Sequence, residues 1–227
     1  MNISGGGELS IFETNSSVSY GTLQDVTVNG DLTLGHRRVL GVYDGARFNG
    51  TVRVFERMEL GSLGNGTTVT LGGSGTIVLG NYNDPLDLTQ VGIKIPASTV
   101  TTIGPDLTVR GGRWRESWSS GGATLGWAYT SAQASTLINQ GTVISEGPDR
   151  VFGVAANYFE NQGLMEARDG SYLVIKPYGI TWSNNGIIRA DAATAVLYGT
   201  PPSTESQAPG DRGQQTVLNY GTLEAVN

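Results

Sequence analysis

Cysteine is absent from the 227-residue sequence, which excludes disulfide bonds, thiolate metal ligands and cysteine nucleophiles together. Histidine occurs once, at His36, and neither a catalytic triad nor a zinc site can be built around it. No run of apolar residues approaches the ~20 that a membrane-spanning helix requires. We therefore expect a chain without disulfides and without a transmembrane segment.

Charged residues are also scarce. They make up 15% of the chain and give a formal net charge of −6, which argues against a nucleic-acid partner because phosphate binding requires a basic surface. We expect a surface rich in Ser, Thr, Asn and Gly rather than in ion pairs. The first residues lack the basic and apolar regions of a signal peptide, so if the chain is exported we expect it to be a fragment of a longer protein.

Glycine, in contrast, is abundant, with 34 residues, about twice its usual ~7% share. Between the glycines lie short runs that alternate apolar and polar residues, such as Val26–Leu34, Thr67–Leu71 and Thr76–Leu79. This period of two, bounded by turn residues, predicts β-strands. Only 131–138 could form a helical turn, so the sequence predicts an all-β fold.

A short phrase, Asn-x-Gly-x-aliphatic, recurs in the second half of the chain. Its copies carry Asn139 and Gly141, Asn161 and Gly163, Asn184 and Gly186, and Asn219 and Gly221. The glycines are 22, 23 and 35 residues apart, and a period of roughly 20–30 residues is typical of one turn of a β-solenoid. The longer gap contains the polar, Pro- and Gly-rich segment 200–213, which we predict to be a loop insertion.

These features predict a single domain over 1–227, a right-handed parallel β-helix of roughly nine turns. A β-sandwich is the alternative, since it also has many short strands. We expect the repeated Gly and Asn to adopt positive φ at sharp corners. Asn stacked on successive turns can also form a ladder of side-chain amides.

The Asn-x-Gly copies, with 27–34 and 71–79, resemble the repeats of bacterial surface β-helix proteins, namely filamentous-haemagglutinin-like adhesins and autotransporter passenger domains. The resemblance implies export, a right-handed parallel β-helix, and a role in adhesion or surface assembly. It carries over no functional residues, and the secretion signature expected at the front of such adhesins is not visible.

The most unusual local feature is a cluster of tryptophan and arginine. Its members are Arg113, Trp114, Arg115, Trp118 and Trp127. Exposed tryptophans can stack on sugar rings, and arginine can donate hydrogen bonds to hydroxyl or acidic groups. The cluster is therefore a candidate glycan-binding site, with tryptophan packing in a wide part of the core as the alternative.

A second candidate is a calcium site in the turn that contains Asn83, Asp84 and Asp87, since Ca²⁺ takes six to eight oxygen ligands. The turn lacks EF-hand spacing and the nonapeptide of calcium-binding β-rolls. Local hydrogen bonding before Pro85 explains the same composition. No other cofactor is indicated.

An enzyme of the β-helix class would need an acid/base pair of clustered carboxylates, or Ca²⁺ with a basic residue. Glu146 and Asp169 are 23 residues apart, which is compatible with neighbouring turns, but we expect each to begin a solvated turn. We therefore predict a non-enzymatic, extracellular structural or adhesive module. Its partners would be a glycan or protein surface of a host or matrix, neighbouring repeats, or further copies in a filament. The alternative is a polysaccharide-degrading β-helix enzyme, including a phage tailspike-like depolymerase.

Overall fold

The computed structural model describes most of the chain. The described ranges are 2–3, 9–10, 19–35, 38–61, 67–80, 91–96, 98–114, 123–127, 135–176, 182–197, 217–219 and 221–226. Every regular element in these ranges is a β-strand, so the all-β prediction is confirmed. The same ranges contain no helix that is long and apolar enough to cross a membrane.

The strands form four sheets, which we call A to D. Sheet B contains β2 (Leu9–Ser10), β5 (Leu32–Leu34), β8 (Thr51–Val54), β11 (Thr76–Leu79), β14 (Thr108–Gly111), β18 (Thr142–Glu146), β21 (Leu164–Arg168), β24 (Ile187–Asp191) and β27 (Thr222–Val226), in this order. Sheet C contains β3 (Ser19–Leu23), β6 (Arg38–Val42), β9 (Arg57–Leu60), β12 (Gly92–Lys94), β16 (Ala123–Trp127), β19 (Arg150–Val154), β22 (Tyr172–Ile175) and β25 (Thr194–Leu197), with β15 (Arg113–Trp114) attached to β19.

The remaining strands lie in two shorter sheets. Sheet D contains β10 (Thr68–Leu71), β13 (Val100–Ile103), β17 (Thr136–Asn139), β20 (Tyr158–Asn161), β23 (Trp182–Asn184) and β26 (Val217–Asn219). Sheet A contains β1 (Asn2–Ile3), β4 (Thr27–Val28) and β7 (Arg47–Phe48). A parallel bridge between Arg47 and Gly72 connects the end of sheet A to the residue after β10.

The chain visits sheets D, B and C in a constant order. For example, β17 lies in sheet D, β18 in sheet B and β19 in sheet C, and β20 returns to sheet D. All pairings between described strands are parallel except that of β15 with β19. Parallel pairing in this cyclic order is consistent with a β-solenoid and differs from the antiparallel sheets of a sandwich.

Residues on one side of each strand point into a common core. In sheet B the inward column contains Val52, Ile77, Val109, Val143, Met165 and Ile188, each aligned with the next. All six are at most 2% exposed, and burial of each such side chain contributes about 1.5–3 kcal/mol. The core therefore runs along the stack as columns of like residues.

Residues 131–138 are the one segment whose sequence could form a helical turn, and those of them that the structure describes do not form one. Thr136–Asn139 forms β17, which pairs with β13 and β20. Leu137 is fully buried between Thr101 and Phe159 of those strands. Pairing on both sides and burial of one face override the weak local preference for helix.

The expected reason for the repeated glycines is also wrong. Gly141, Gly163, Gly186 and Gly221 are not among the residues with positive φ. Instead, a Cβ on Gly163 would overlap the carbonyl oxygen of Gly141, and a Cβ on Gly186 would overlap that of Gly163. Glycine is required here because successive backbones approach too closely for any side chain.

Candidate functional site

The asparagines of the repeated phrase form a ladder along the inner side of sheet D. Asn139, Asn161, Asn184 and Asn219 are aligned on successive strands. Each Nδ2 donates to the Oδ1 of the next asparagine, at 2.8, 2.7 and 2.8 Å in chain order. The side chains therefore continue between strands the hydrogen bonding that the backbone already provides.

The second hydrogen of each amide is also used. Asn139 donates to the carbonyl oxygen of Leu164 at 3.3 Å, and Asn161 to that of Ile187 at 3.2 Å. Asn139, Asn161 and Asn184 are fully buried, so these bonds compensate for desolvation of the amides. The ladder is a structural site, and it fixes which residues of neighbouring turns face each other.

Sheet B carries a row of ion pairs on its outer face. Glu146 accepts hydrogen bonds from Arg110, at 3.0 Å, and from Arg168. The bond to Glu146 raises the pKa of Arg168, with a further contribution from the attraction between the two charges. Glu146 is only 8% exposed, so the expectation that it begins a solvated turn is wrong: the arginines on both sides cover and neutralise it.

Asp169, which the sequence spacing paired with Glu146 as neighbouring carboxylates, is exposed rather than buried. Its side chain is 70% exposed and lies 3.8 Å from Arg168. Arg168 therefore lies within ion-pair distance of both carboxylates.

Two more clusters repeat this pattern. Arg189 lies 3.6 Å from Glu166 and 2.7 Å from Glu224 on sheet B, and the bond to Glu224 raises the pKa of Arg189. On sheet C, Glu59 lies 3.1 Å from Arg57 and 3.2 Å from Lys94. The expectation of a surface poor in ion pairs is therefore wrong for these two sheets.

The predicted glycan-binding cluster falls on the irregular strand β15 and its surroundings. The backbones of Arg113 and Trp114 run antiparallel to β19, and Trp114 is aligned with Arg150. Trp127 ends β16 and is aligned with Lys94. Arg115 and Trp118 lie outside the described residues, so glycan binding by this cluster stays a prediction.

Two other predicted features lie outside the described residues. These are the calcium candidates Asn83, Asp84 and Asp87 and the loop insertion 200–213. Within the part of the chain that the structure describes, no three His, Cys, Asp or Glu residues group as metal ligands would.

The glycines that stack on successive turns, Gly141, Gly163, Gly186 and Gly221, form a glycine column. Sequence reasoning missed that this column extends into the first half of the chain. A Cβ on Gly50 would overlap the carbonyl oxygen of Gly30, and a Cβ on Gly75 would overlap that of Gly50. These glycines are 20 and 25 residues apart (30 to 50, 50 to 75), so their spacing varies more than that of the later copies. The sequence feature that could have revealed these glycines is their position directly before the Thr or Asp that leads into each sheet B strand.

Comparison with known protein families, with characterised proteins and with solved structures finds no match to this chain. The class that the fold defines is an all-β protein of stacked parallel strands, and its function must be argued from the surfaces and contacts described above.

Proposed function

We propose that this chain is a right-handed parallel β-helix of about nine turns that serves as a rigid structural and adhesive module of an extracellular bacterial surface protein. The observation that carries the proposal is the continuous column of hydrogen-bonded asparagine amides from Asn139 to Asn219, of which the first three are buried. Each turn then satisfies the hydrogen bonds of the next, as in stacked β systems. At about 4.8 Å per turn, the stack would form a rod about 45 Å long.

The ion pairs support a structural role. Glu59, Glu146, Glu166 and Glu224 each lie within ion-pair distance of arginine or lysine. Most of these contacts join different strands of one sheet, so the charges bind neighbouring turns together. A carboxylate that is neutralised in this way is poorly placed to act as a general acid or base.

The last described strand of sheet B supports assembly along the axis. Leu223 continues the inward column after Ile188 but is 51% exposed, and Val226 is 45% exposed. An open strand edge with apolar side chains favours pairing with another strand. We propose that this face receives a further turn, from a neighbouring repeat or from a second copy in a filament.

The experiment is electron microscopy and small-angle scattering on the purified chain over a range of concentrations. We expect rods that lengthen as concentration rises. Leu223→Lys with Val226→Lys should stop this lengthening, because it places charge on the end face. Thr68→Lys with Thr70→Lys adds the same charge to the exposed side of sheet D and should leave lengthening unchanged.

Compact particles would contradict the rod. Rods of constant length, or equal behaviour of the two double variants, would contradict assembly through the end face.

A further inference from the structure

Tyr158 is a large aromatic side chain that sheet D presents to solvent, with 48% of its surface exposed. It begins β20, and the residue aligned with it on β17 is Thr136. Glu160 follows two positions later on the same face, about 6.6 Å along the strand. The residues aligned with Glu160 on the two neighbouring strands, Ile138 and Ser183, are uncharged.

A row of ordered polar side chains includes Glu160 and continues along the chain beyond β20. Gln140 donates to Gln162 at 3.0 Å, and Gln162 donates to Oε1 of Glu160 at 2.9 Å. Asn185, from the next turn, donates to the same Oε1 at 2.9 Å. Because three neighbouring turns contribute to the row, its geometry is set by the stack rather than by a loop.

Glu160 differs from the glutamates of the ion-pair clusters. Among the residues that the structure describes, it takes part in no ion pair, and its partners are the amides of Gln162 and Asn185. Both amides donate to Oε1, and none of the residues that the structure describes donates to Oε2. The charge of Glu160 is therefore held in place but is not neutralised.

We propose that Tyr158, Glu160 and the amides of Gln162 and Asn185 form a binding site for a neutral sugar unit of an extended polysaccharide. An aromatic ring with one face exposed stacks on the apolar face of a sugar, while its hydroxyl remains in contact with water. A carboxylate accepts hydrogen bonds from neighbouring hydroxyls, and these charge-assisted bonds are stronger than neutral ones. The amide side chains offer both donors and acceptors to the remaining hydroxyls.

The site rests on the adhesive part of the proposed function, but it uses different residues from the tryptophan cluster. A peptide would satisfy the amides but would not need the exposed ring beside a carboxylate. An anionic ligand is disfavoured by the charge of Glu160, whereas an uncharged sugar matches the ring, the carboxylate and the amides together.

The test is a glycan array followed by titration of the best neutral oligosaccharide against the wild-type chain and three variants. We expect Tyr158→Ala to weaken binding about tenfold or more, because the stacking surface is lost. Glu160→Gln keeps the shape and an acceptor for the amides, and should weaken binding by a smaller factor, about fivefold. Tyr43→Ala, which removes a partly buried tyrosine beside sheet C, is the matched control and should bind as the wild type does.

Three results would overturn the site: no neutral glycan binds, Tyr158→Ala binds as the wild type does, or Trp114→Ala abolishes binding while Tyr158→Ala does not. Circular dichroism of each variant separates loss of the site from loss of the fold. None of these results bears on rod length, so failure here is distinguishable from failure of the structural proposal.

Discussion

The two halves of the stack fill the same inner column of sheet D with opposite kinds of side chain. In the first half the column contains Leu71 and Ile103, which are aligned and fully buried. Ile103 is followed by Asn139, and from there the column is asparagine. The backbone pairing within sheet D is parallel throughout, so the difference lies in the side chains.

This difference shows two ways of holding turns together. Apolar contact stabilises through burial and is non-directional, so it specifies which face of the strand is buried but not which atoms pair across neighbouring turns. An amide ladder contributes directional bonds, and each amide requires a partner on both sides. The apolar and asparagine parts of the column meet between Ile103 and Asn139, which we call the junction. There the requirement is not met, because the buried Oδ1 of Asn139, on the Ile103 side, has no hydrogen-bond partner among the described residues.

The largest effect on stability is expected at the glycine column, because both halves of the stack require glycine there. Gly163→Ala places a Cβ against the carbonyl oxygen of Gly141, so the turns must separate, and we expect a loss of about 3 kcal/mol or more in unfolding free energy. Chemical denaturation followed by circular dichroism measures it. The control is Gly153→Ala in β19, where the nearest atom to the new Cβ is 3.8 Å away, and it should be nearly neutral. Equal stability of the two variants would contradict close stacking.

A substitution at Ile103 can extend the asparagine part of the column by one turn. Ile103→Asn places an amide beside Asn139, whose Oδ1 needs a donor, whereas Leu71→Asn places an amide beside Ile103. We expect Leu71→Asn to cost about 3 kcal/mol or more because the amide is buried without partners. Ile103→Asn should cost at least about 1 kcal/mol less, since one bond is regained. Paired denaturation curves decide this, and an equal or larger cost for Ile103→Asn would remove the ladder from the explanation.

Burial decides how much each rung of an amide ladder contributes. Asn161→Ala removes the partner of Asn139 and of Asn184 in the core, and we expect a loss of about 2–3 kcal/mol. Asn49→Ala removes a bond of the same type, from Asn49 to Asn29 at 2.8 Å, but in an exposed position. That loss should stay below about 0.5 kcal/mol. Similar losses at the two sites, in the same denaturation assay, would argue against burial as the cause.

The outer ion pairs should contribute less than the inner ladder. Glu146→Gln removes the carboxylate that Arg110 and Arg168 share, and because both arginines are partly exposed we expect a loss of only about 1–2 kcal/mol. The loss should be smaller at high salt, because salt screens the part of the attraction that is exposed to solvent. A loss larger than that of Asn161→Ala would reverse the order of the two contributions.

The smallest effect is a pH dependence in the first half. A hydrogen bond from the backbone N–H of Thr51 lowers the pKa of Asp31 below its ordinary value of 3.8, with help from Arg53. The charged form therefore stabilises the fold above about pH 4, and this contribution is lost as pH falls through the lower, folded pKa. Asp31→Asn should reduce the acid dependence of the melting temperature in that window only. An unchanged dependence between pH 2 and pH 5 would contradict the assignment.

The sequence predicts the second half better than the first, for a physical reason. Buried asparagine and tightly stacked glycine tolerate no substitute, so 139–225 repeats the same letters at nearly constant spacing. Leucine, isoleucine and valine replace one another in a core, so Leu71 and Ile103 carry no phrase that marks their shared column. Glycine spacing of 20 and 25 residues hides the first part of the glycine column.

The candidate sites are less predictable still. The ion pair of Arg110 with Glu146 joins residues 36 positions apart, and it depends on strand alignment that no local pattern shows. Tyr158 and Glu160 are neighbours through simple alternation along a strand, but one of the two partners of Glu160, Asn185, comes from the next turn.

The absence of cysteine allows a direct measurement of the central claim, which is parallel, in-register stacking. Thr108 and Thr142 are aligned on neighbouring strands of sheet B, so their Cα atoms should lie about 4.8 Å apart, within the reach of a disulfide. With both changed to cysteine, we predict rapid oxidation to an intramolecular disulfide, as measured by mass spectrometry. Thr108→Cys with Ile144→Cys is two residues out of register, about 8 Å apart, and should not close. Failure of the first pair to oxidise, or equal oxidation of the second, would contradict the stack.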